Sequence, residues 1–206
     1  MRVLVLCDDY WHPGKVARAG LAQISSLEWD IIEPAGEWSA EKMSGYPVVL
    51  FAKSNEITAT QREPWVTPAV EQAFVDYVRA GGGLLAIHSG TVYKQLPTMR
   101  ALLGGAFDHH PPQCPVTIQP LQGHPLTAGV EPFTVQDEHY HMLLDDAGAD
   151  VFMTTSSEHG EQPGGWTRLE GQGRVCVLTP GHTEQAFTHP GMSRLICNAV
   201  AWCAGE

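Results

Sequence analysis

His88 closes the apolar run GLLAIHSG (83–90), flanked by Gly83 and Gly90, where the pattern predicts a strand-to-helix elbow. In many α/β enzymes such a tip carries a nucleophilic Ser or Cys, because the tight turn thrusts the side chain above the sheet edge. A histidine there implies acid/base or electrophilic chemistry instead, or no chemistry. A second imidazole, His182, follows Gly181 in VLTPGHTE (177–184). The glycine lets the backbone pass close to a ligand, and Glu184, two residues on, can either orient and charge-stabilise the ring or cap the turn that follows.

Six of the ten histidines fall in such stretches: His88, His109, His110, His139, His141 and His182. Imidazole serves wherever protons move near neutral pH or a metal needs a neutral nitrogen ligand. In DEHYH (137–141) an extended backbone sends Asp137, His139 and His141 to one side and Glu138 with Tyr140 to the other. The H-x-H spacing suggests metal ligands on the first of those sides. His109 and His110 follow Gly104-Gly105 and precede two prolines that stiffen the loop. Asp8 and Asp9, directly after the first apolar run, sit where carboxylates can accept hydrogen bonds from sugar hydroxyls or stand solvated in a turn.

An elbow residue followed much later by H-x-E is similar to class I glutamine amidotransferases, in which a cysteine holds the elbow. Here His88 stands in its place, and without a thiolate the glutaminase reaction has no nucleophile. A closer resemblance covers nearly the whole chain. GGGLLAIHSG (81–90), GGAFDHHP (104–111), GHPLTAGV (123–130), DEHY (137–140), TPGH (179–182) and NAVAW (198–202) resemble, in order, the ThuA-like (trehalose utilisation) family. The resemblance implies a three-layer, flavodoxin-like α/β fold of the class I glutamine amidotransferase type, with an open and mostly parallel sheet. It also implies sugar metabolism, with trehalose, a related disaccharide or an oxidised sugar as substrate. It selects Glu138 and Tyr140 as the pocket pair and His110 over His109. His88, His182, Glu184 and Glu138 are then the expected catalytic groups, and Asp8, Ser89, His110, His139 and Tyr140 the expected substrate-binding ones.

The elements that must position these groups are legible from periodicity. Apolar runs alternate with segments of helical period, as in a parallel sheet covered on both faces. Strands are predicted at 2–9, 30–34, 46–52 and 83–88, and helices at 12–27, 67–81 and 190–205. A further helix is predicted at 89–105, kinked or split by Pro97. Thr67 with Pro68 starts the second helix, and Gly81-Gly82-Gly83 stops it. From 115 onward come shorter extended pieces (PVTIQP, FTVQDEHYHM, ADVFMTTSS, GRVCVLTPG), some of which are expected to pair antiparallel at the sheet edge. No internal repeat stands out, and a single domain over 1–206 is expected.

Composition excludes several classes. With 23 acidic against 12 basic residues the chain carries a formal charge of −11, which disfavours nucleic-acid binding. No run approaches the roughly 18 apolar residues of a membrane span, and MRVLVLCDD lacks the basic start of a leader. A soluble, cytoplasmic protein with reduced cysteines is expected. Three functional readings follow. The first is a sugar enzyme in which His88, His182 with Glu184, and Glu138 move protons without a required cofactor. The second is a non-catalytic carbohydrate-binding or regulatory module on the same fold. Trp11, Trp38, Trp65 and Trp166, read as loop residues, are its stacking platforms or else the contacts of a homo-oligomer. The third, ranked last because no signature such as H-E-x-x-H is present, is a hydrolase using a divalent metal such as zinc.

Overall fold

In the computed structural model, which describes residues 1–145 and 148–206, the chain begins with β1 (Arg2–Cys7), α1 (Gly14–Leu21), β2 (Glu28–Ile32), α2 (Ala40–Ser44) and β3 (Val48–Ala52). It continues through α3 (Pro68–Arg79), β4 (Gly83–Ile87), α4 (Pro97–Leu103), β5 (Gly105–His109), β6 (Cys114–Pro120), β7 (Phe133–Asp137) and β8 (His141–Leu144). The last elements are β9 (Asp150–Ser157), β10 (Gly160–Glu170), β11 (Gly173–Leu178), α5 (Glu184–Thr188) and α6 (Pro190–Ala204). Nine strands form one sheet in the order β2-β1-β3-β4-β11-β10-β9-β6-β7, while β5 and β8 form a small antiparallel ribbon.

The inner strands are buried on both faces, which is why they read as unbroken apolar runs rather than alternating ones. Alternate residues still part company. Val3, Val5, Leu85 and Leu178 join Leu21 of α1 and Leu195, Ile196 and Val200 of α6 in one core. Leu4, Leu6, Phe51, Leu84 and Val177 join Phe74 and Val78 of α3 and Met99 and Leu103 of α4 in the other. Helix, sheet and helix therefore make three layers, and each fully buried Leu or Phe contributes about 1.5–3 kcal/mol.

The sheet changes character halfway. From β2 to β11 the neighbours are parallel, but β11-β10, β10-β9, β9-β6 and β6-β7 are antiparallel. The α/β class stands, yet the antiparallel extension is half the sheet rather than an edge. GRVCVLT belongs to the central parallel part, between β4 and β10, and not to that edge. The eleven-residue β10 was hidden from periodicity by the Pro163-Gly164-Gly165 stretch, where the ladder to β9 shifts register as a bulge.

Helix boundaries differ for local reasons. The first helix stops at Leu21, where Gln23 and Ile24 turn back on Gly20 and Leu21 through short-range bonds. The helix expected over 89–105 is a single 3-10 turn at His88–Thr91 followed by α4, which begins at Pro97. Leu96 before that proline is held out of the helical region, as proline requires. Thr67 caps α3 as its sequence suggests, accepting from the Val70 N–H. Among the described residues no helix is long and apolar enough to cross a membrane.

Candidate functional site

Parallel strands β1, β3, β4 and β11 deliver the loops at their carboxyl ends to one edge of the sheet, where open α/β folds bind ligands. Five stretches meet there: 8–13 after β1, 53–56 after β3, the turn after β4, the β7–β8 connection, and 179–183 after β11. Between them lies a cleft of about 450 Å³, lined by Trp11, His12, Ser54, Asn55, Glu56, Val92, Phe107, His110, Glu138 and Tyr140.

His88 follows β4 with φ of +46°, a left-handed backbone that a non-glycine residue holds only when its surroundings dictate it. Gly90 makes the elbow feasible, because a Cβ there would run into the Phe51 carbonyl on β3. The His88 ring is 1% exposed. Its Nδ1 donates to the Thr179 carbonyl at 2.8 Å, and since a carbonyl only accepts, Nε2 of the neutral ring presents its lone pair. That Nε2 lies 3.4 Å from Oε2 of Glu138.

Glu138 is the hub. Its Oε2 also lies 3.1 Å from Nδ1 of His182 and 3.6 Å from Nε2 of His110. Burial pushes the Glu138 carboxyl up, but the neighbouring histidines, His182 foremost, outweigh it and hold it well below the usual carboxylate range. Burial likewise lowers both of those rings. For His88 it prevails, whereas for the half-buried His182 the Glu138 carboxylate prevails and the net direction is upward.

Two carboxylates hold this arrangement from behind. Asp137 is fully buried, pushed above its ordinary range by burial, and accepts from the N–H groups of Gly181, His182 and Thr183 at 2.8, 2.9 and 3.1 Å. It thereby ties the β11 loop to the end of β7. Asp9, also fully buried, accepts from Nδ1 of His12 at 2.7 Å and from the N–H groups of Trp11, His12 and Ser54. Burial raises it, and His12 more than compensates, leaving a net lowering. His12 is thus swung into the cleft, its ring centroid 5.0 Å from that of His88 and 5.1 Å from that of His182. One donor atom from each of His12, His88, Glu138 and His182 lies within 4.8 Å of every other. Among the described residues this is the one group of three or more such side chains close enough to hold a metal ion.

Of the residues singled out from sequence, His88, His182, Glu138, His110 and Tyr140 come together. Tyr140 is buried, stacked on the His88 ring, with its hydroxyl 3.5 Å from Nε2 of His12. The other four expected catalytic or substrate-binding residues, Glu184, Asp8, Ser89 and His139, do not join them. Glu184 is exposed in the first turn of α5, which Thr183 caps, and it makes no ion pair with His182. Glu138 stands beside that ring in its stead, with Oε2 3.1 Å from Nδ1. Asp8 accepts from the N–H groups of Gly14 and Ala59, joining α1 to the loop after β3. Ser89 is buried within the 3-10 turn and does not line the cleft. His139 points the other way, bonded to Ser157 Oγ at 2.8 Å and to the Thr155 carbonyl at 3.3 Å, so the H-x-H pair gathers no ligand set. Glu138 and Tyr140 do share the face opposite His139, because the alternation of β7 carries on past its last paired residue.

Sequence reasoning missed His12 and the roles of Asp9 and Asp137. The available signal was Asp9-x-x-His12 directly after the first strand, which the reading absorbed into the start of a helix. Of the four tryptophans read as loop residues, Trp11, Trp38 and Trp65 do lie in loops, but Trp166 does not. Trp166 is buried in β10 with Nε1 donating to the Leu103 carbonyl, while Trp38 and Trp65 pack against Phe74 and Phe51. Of these four, Trp11 alone is exposed, at 60%, at the cleft mouth. It is steadied by Tyr10 and by Arg62, whose guanidinium lies over both rings.

The family model for ThuA, described as trehalose utilisation, matches residues 2–203. No curated protein matches the chain in sequence. Among solved structures, a ThuA-like protein of Parabacteroides merdae superposes with a TM-score of 0.79 at 17% identity, covering 99% of this chain and 90% of that one. A ThuA-like protein of Bacteroides uniformis gives 0.75 at 20% identity, over 98% and 91%. A protein of Salmonella typhimurium described as cytoplasmic gives 0.73 at 15% identity, over 98% and 99%. At these identities the structures share the fold.

Proposed function

The chain belongs to the ThuA, trehalose utilisation, family, and from that premise we propose that it is an enzyme acting on a disaccharide or a keto-sugar bound in the cleft beside Glu138. The observation that carries this reading is the single carboxylate oxygen, Oε2 of Glu138, faced by the ring nitrogens of His182, His88 and His110 within 3.6 Å at the cleft floor. Such a cluster moves protons to and from carbon-bound oxygen, the step common to glycoside cleavage, isomerisation and elimination beside a ketone.

Two further features support a sugar. The cleft volume falls in the range of small-molecule sites, and its lining mixes apolar faces with a few converging polar groups. Trp11 stands exposed at the mouth, an aromatic surface of the kind on which a sugar ring stacks. Glutamine is not the substrate on this reading, because the elbow presents an imidazole where a thiolate would be needed.

The test is turnover of a panel of disaccharides and their keto forms by the parent protein, His182→Ala and Glu138→Gln. Loss of a proton-transferring group should lower kcat by about 10²–10⁴-fold. Sugar-induced thermal stabilisation without turnover across the panel would replace this reading with a non-catalytic binding module.

A further inference from the structure

We propose that His12, His88, Glu138 and His182 bind one divalent transition-metal ion of the zinc type. The inference keeps the sugar enzyme of the preceding reading but recasts His88, Glu138 and His182 from proton carriers to ligands, and it rests on that reading only for the claim that the ion faces a sugar. The donors come from four separate loops, after β1, after β4, between β7 and β8, and after β11, yet their donor atoms fall within 4.8 Å of one another. Three imidazole nitrogens and one carboxylate oxygen form a set suited to zinc.

A second observation is independent of that proximity. Nε2 of His88 and Nδ1 of His182 are both enclosed and have no hydrogen-bond partner, although each approaches the same Glu138 oxygen, at 3.4 and 3.1 Å. Their directions miss the oxygen. Buried polar atoms left so are rare and costly, and here two of them flank one carboxylate. A cation among these donors would take both lone pairs and the carboxylate charge at once.

The outer contacts are those of metal-ligating histidines. His12 gives its Nδ1 proton to Asp9 at 2.7 Å, and His88 gives its own to the Thr179 carbonyl at 2.8 Å, so each presents Nε2 with the ring locked. Asp9 is itself fixed by three backbone N–H groups. On the cleft side, where His12 and Glu138 line the cavity, the ion can take a sugar or water oxygen as a fifth ligand and polarise it.

The experiment uses the full chain, stripped with chelator, dialysed, and titrated calorimetrically with zinc chloride, with cobalt(II) absorption as a second readout. One ion per chain is expected, with a cobalt spectrum of four- or five-coordinate geometry. Asp9→Asn should weaken binding by about 10- to 100-fold as an orienting change. His12→Ala and the near-isosteric Glu138→Gln should weaken it further, and His159→Ala, an exposed histidine outside the cluster, should leave it unchanged. Substoichiometric binding, or equal affinity in the parent, His12→Ala and Glu138→Gln, overturns the proposal. The two readings fail separately. Stripped protein that turns over sugar at full rate and binds no zinc removes the metal and keeps the enzyme, whereas stoichiometric zinc without turnover removes the enzyme and keeps the metal.

Discussion

The phenol ring of Tyr140 lies stacked on the imidazole of His88, with centroids 3.8 Å apart and planes 26° from parallel. Phe107 closes on the other side of Tyr140 at 4.1 Å, so the His88 ring is held in place by aromatic surface as well as by its bond to Thr179. Tyr140→Phe keeps this stack and should cost less than about 1.5 kcal/mol, while Tyr140→Ala opens a cavity beside His88 and should cost about 3–5 kcal/mol. Urea unfolding of both variants checks this. Equal midpoints would show that the stack does not support the elbow.

Asp137 is a positioning residue for His182. Asp137→Ala leaves three N–H groups of the β11 loop without their acceptor and should destabilise the fold by about 3 kcal/mol or more. Asp137→Asn retains one acceptor oxygen and should cost less. On a sugar that the parent protein turns over, both variants should lower kcat more than they raise KM, because the loop they loosen carries His182 and not the cleft mouth. A fully stable Asp137→Ala protein would contradict the role assigned here.

Glutaminase assays should show no ammonia release, and His88→Cys should not create the activity. A thiol at the elbow would still lack its partner pair, because Glu184 is exposed on α5 and His182 faces Glu138. Appreciable ammonia from the parent would mean that a nucleophile lies elsewhere, and ammonia from His88→Cys alone would mean that the elbow thiol works without the His182–Glu184 pair.

Acid should weaken the tie between α3 and β10. Glu170 meets Arg79 at 2.7 Å and Arg168 at 3.1 Å, and the Arg79 guanidinium foremost holds its carboxyl below the ordinary range. A depressed folded-state value means that the contribution is present above the unfolded value near 4.5 and is lost as pH falls through the folded one. For a network open to solvent at Arg79, Glu170→Gln should cost only about 0.5–1 kcal/mol at neutral pH, and the gap from the parent should shrink as pH falls below 4.5. A gap of the same size at neutral and acid pH would assign the loss to packing.

Much of the scaffold was legible because it is governed by local rules. The apolar runs of β1, β3 and β4, the Thr67-Pro68 start of α3 and the block at Pro97 act within a few residues, so they read directly from sequence. So did the elbow, since Gly83 and Gly90 bracket His88 whatever lies around them. What escaped were features set by residues far apart. β10 pairs across a bulge that conceals its period, and its ladders to β9 and β11 join it to segments its own residues do not announce.

At the site the division is the same. Sequence alone determined that an imidazole stands at the elbow, that another follows Gly181, and that Glu138 and Tyr140 share a face, since turn geometry and strand alternation are short-range. Only the tertiary structure decided which carboxylate serves which ring. Glu138, 44 positions away in the chain, replaces Glu184 beside His182, and Asp9 brings in a histidine that periodicity had assigned to a helix. Hydrogen-bond partners are chosen by distance in space, and the loops that supply them meet only once four parallel strands have aligned their carboxyl ends.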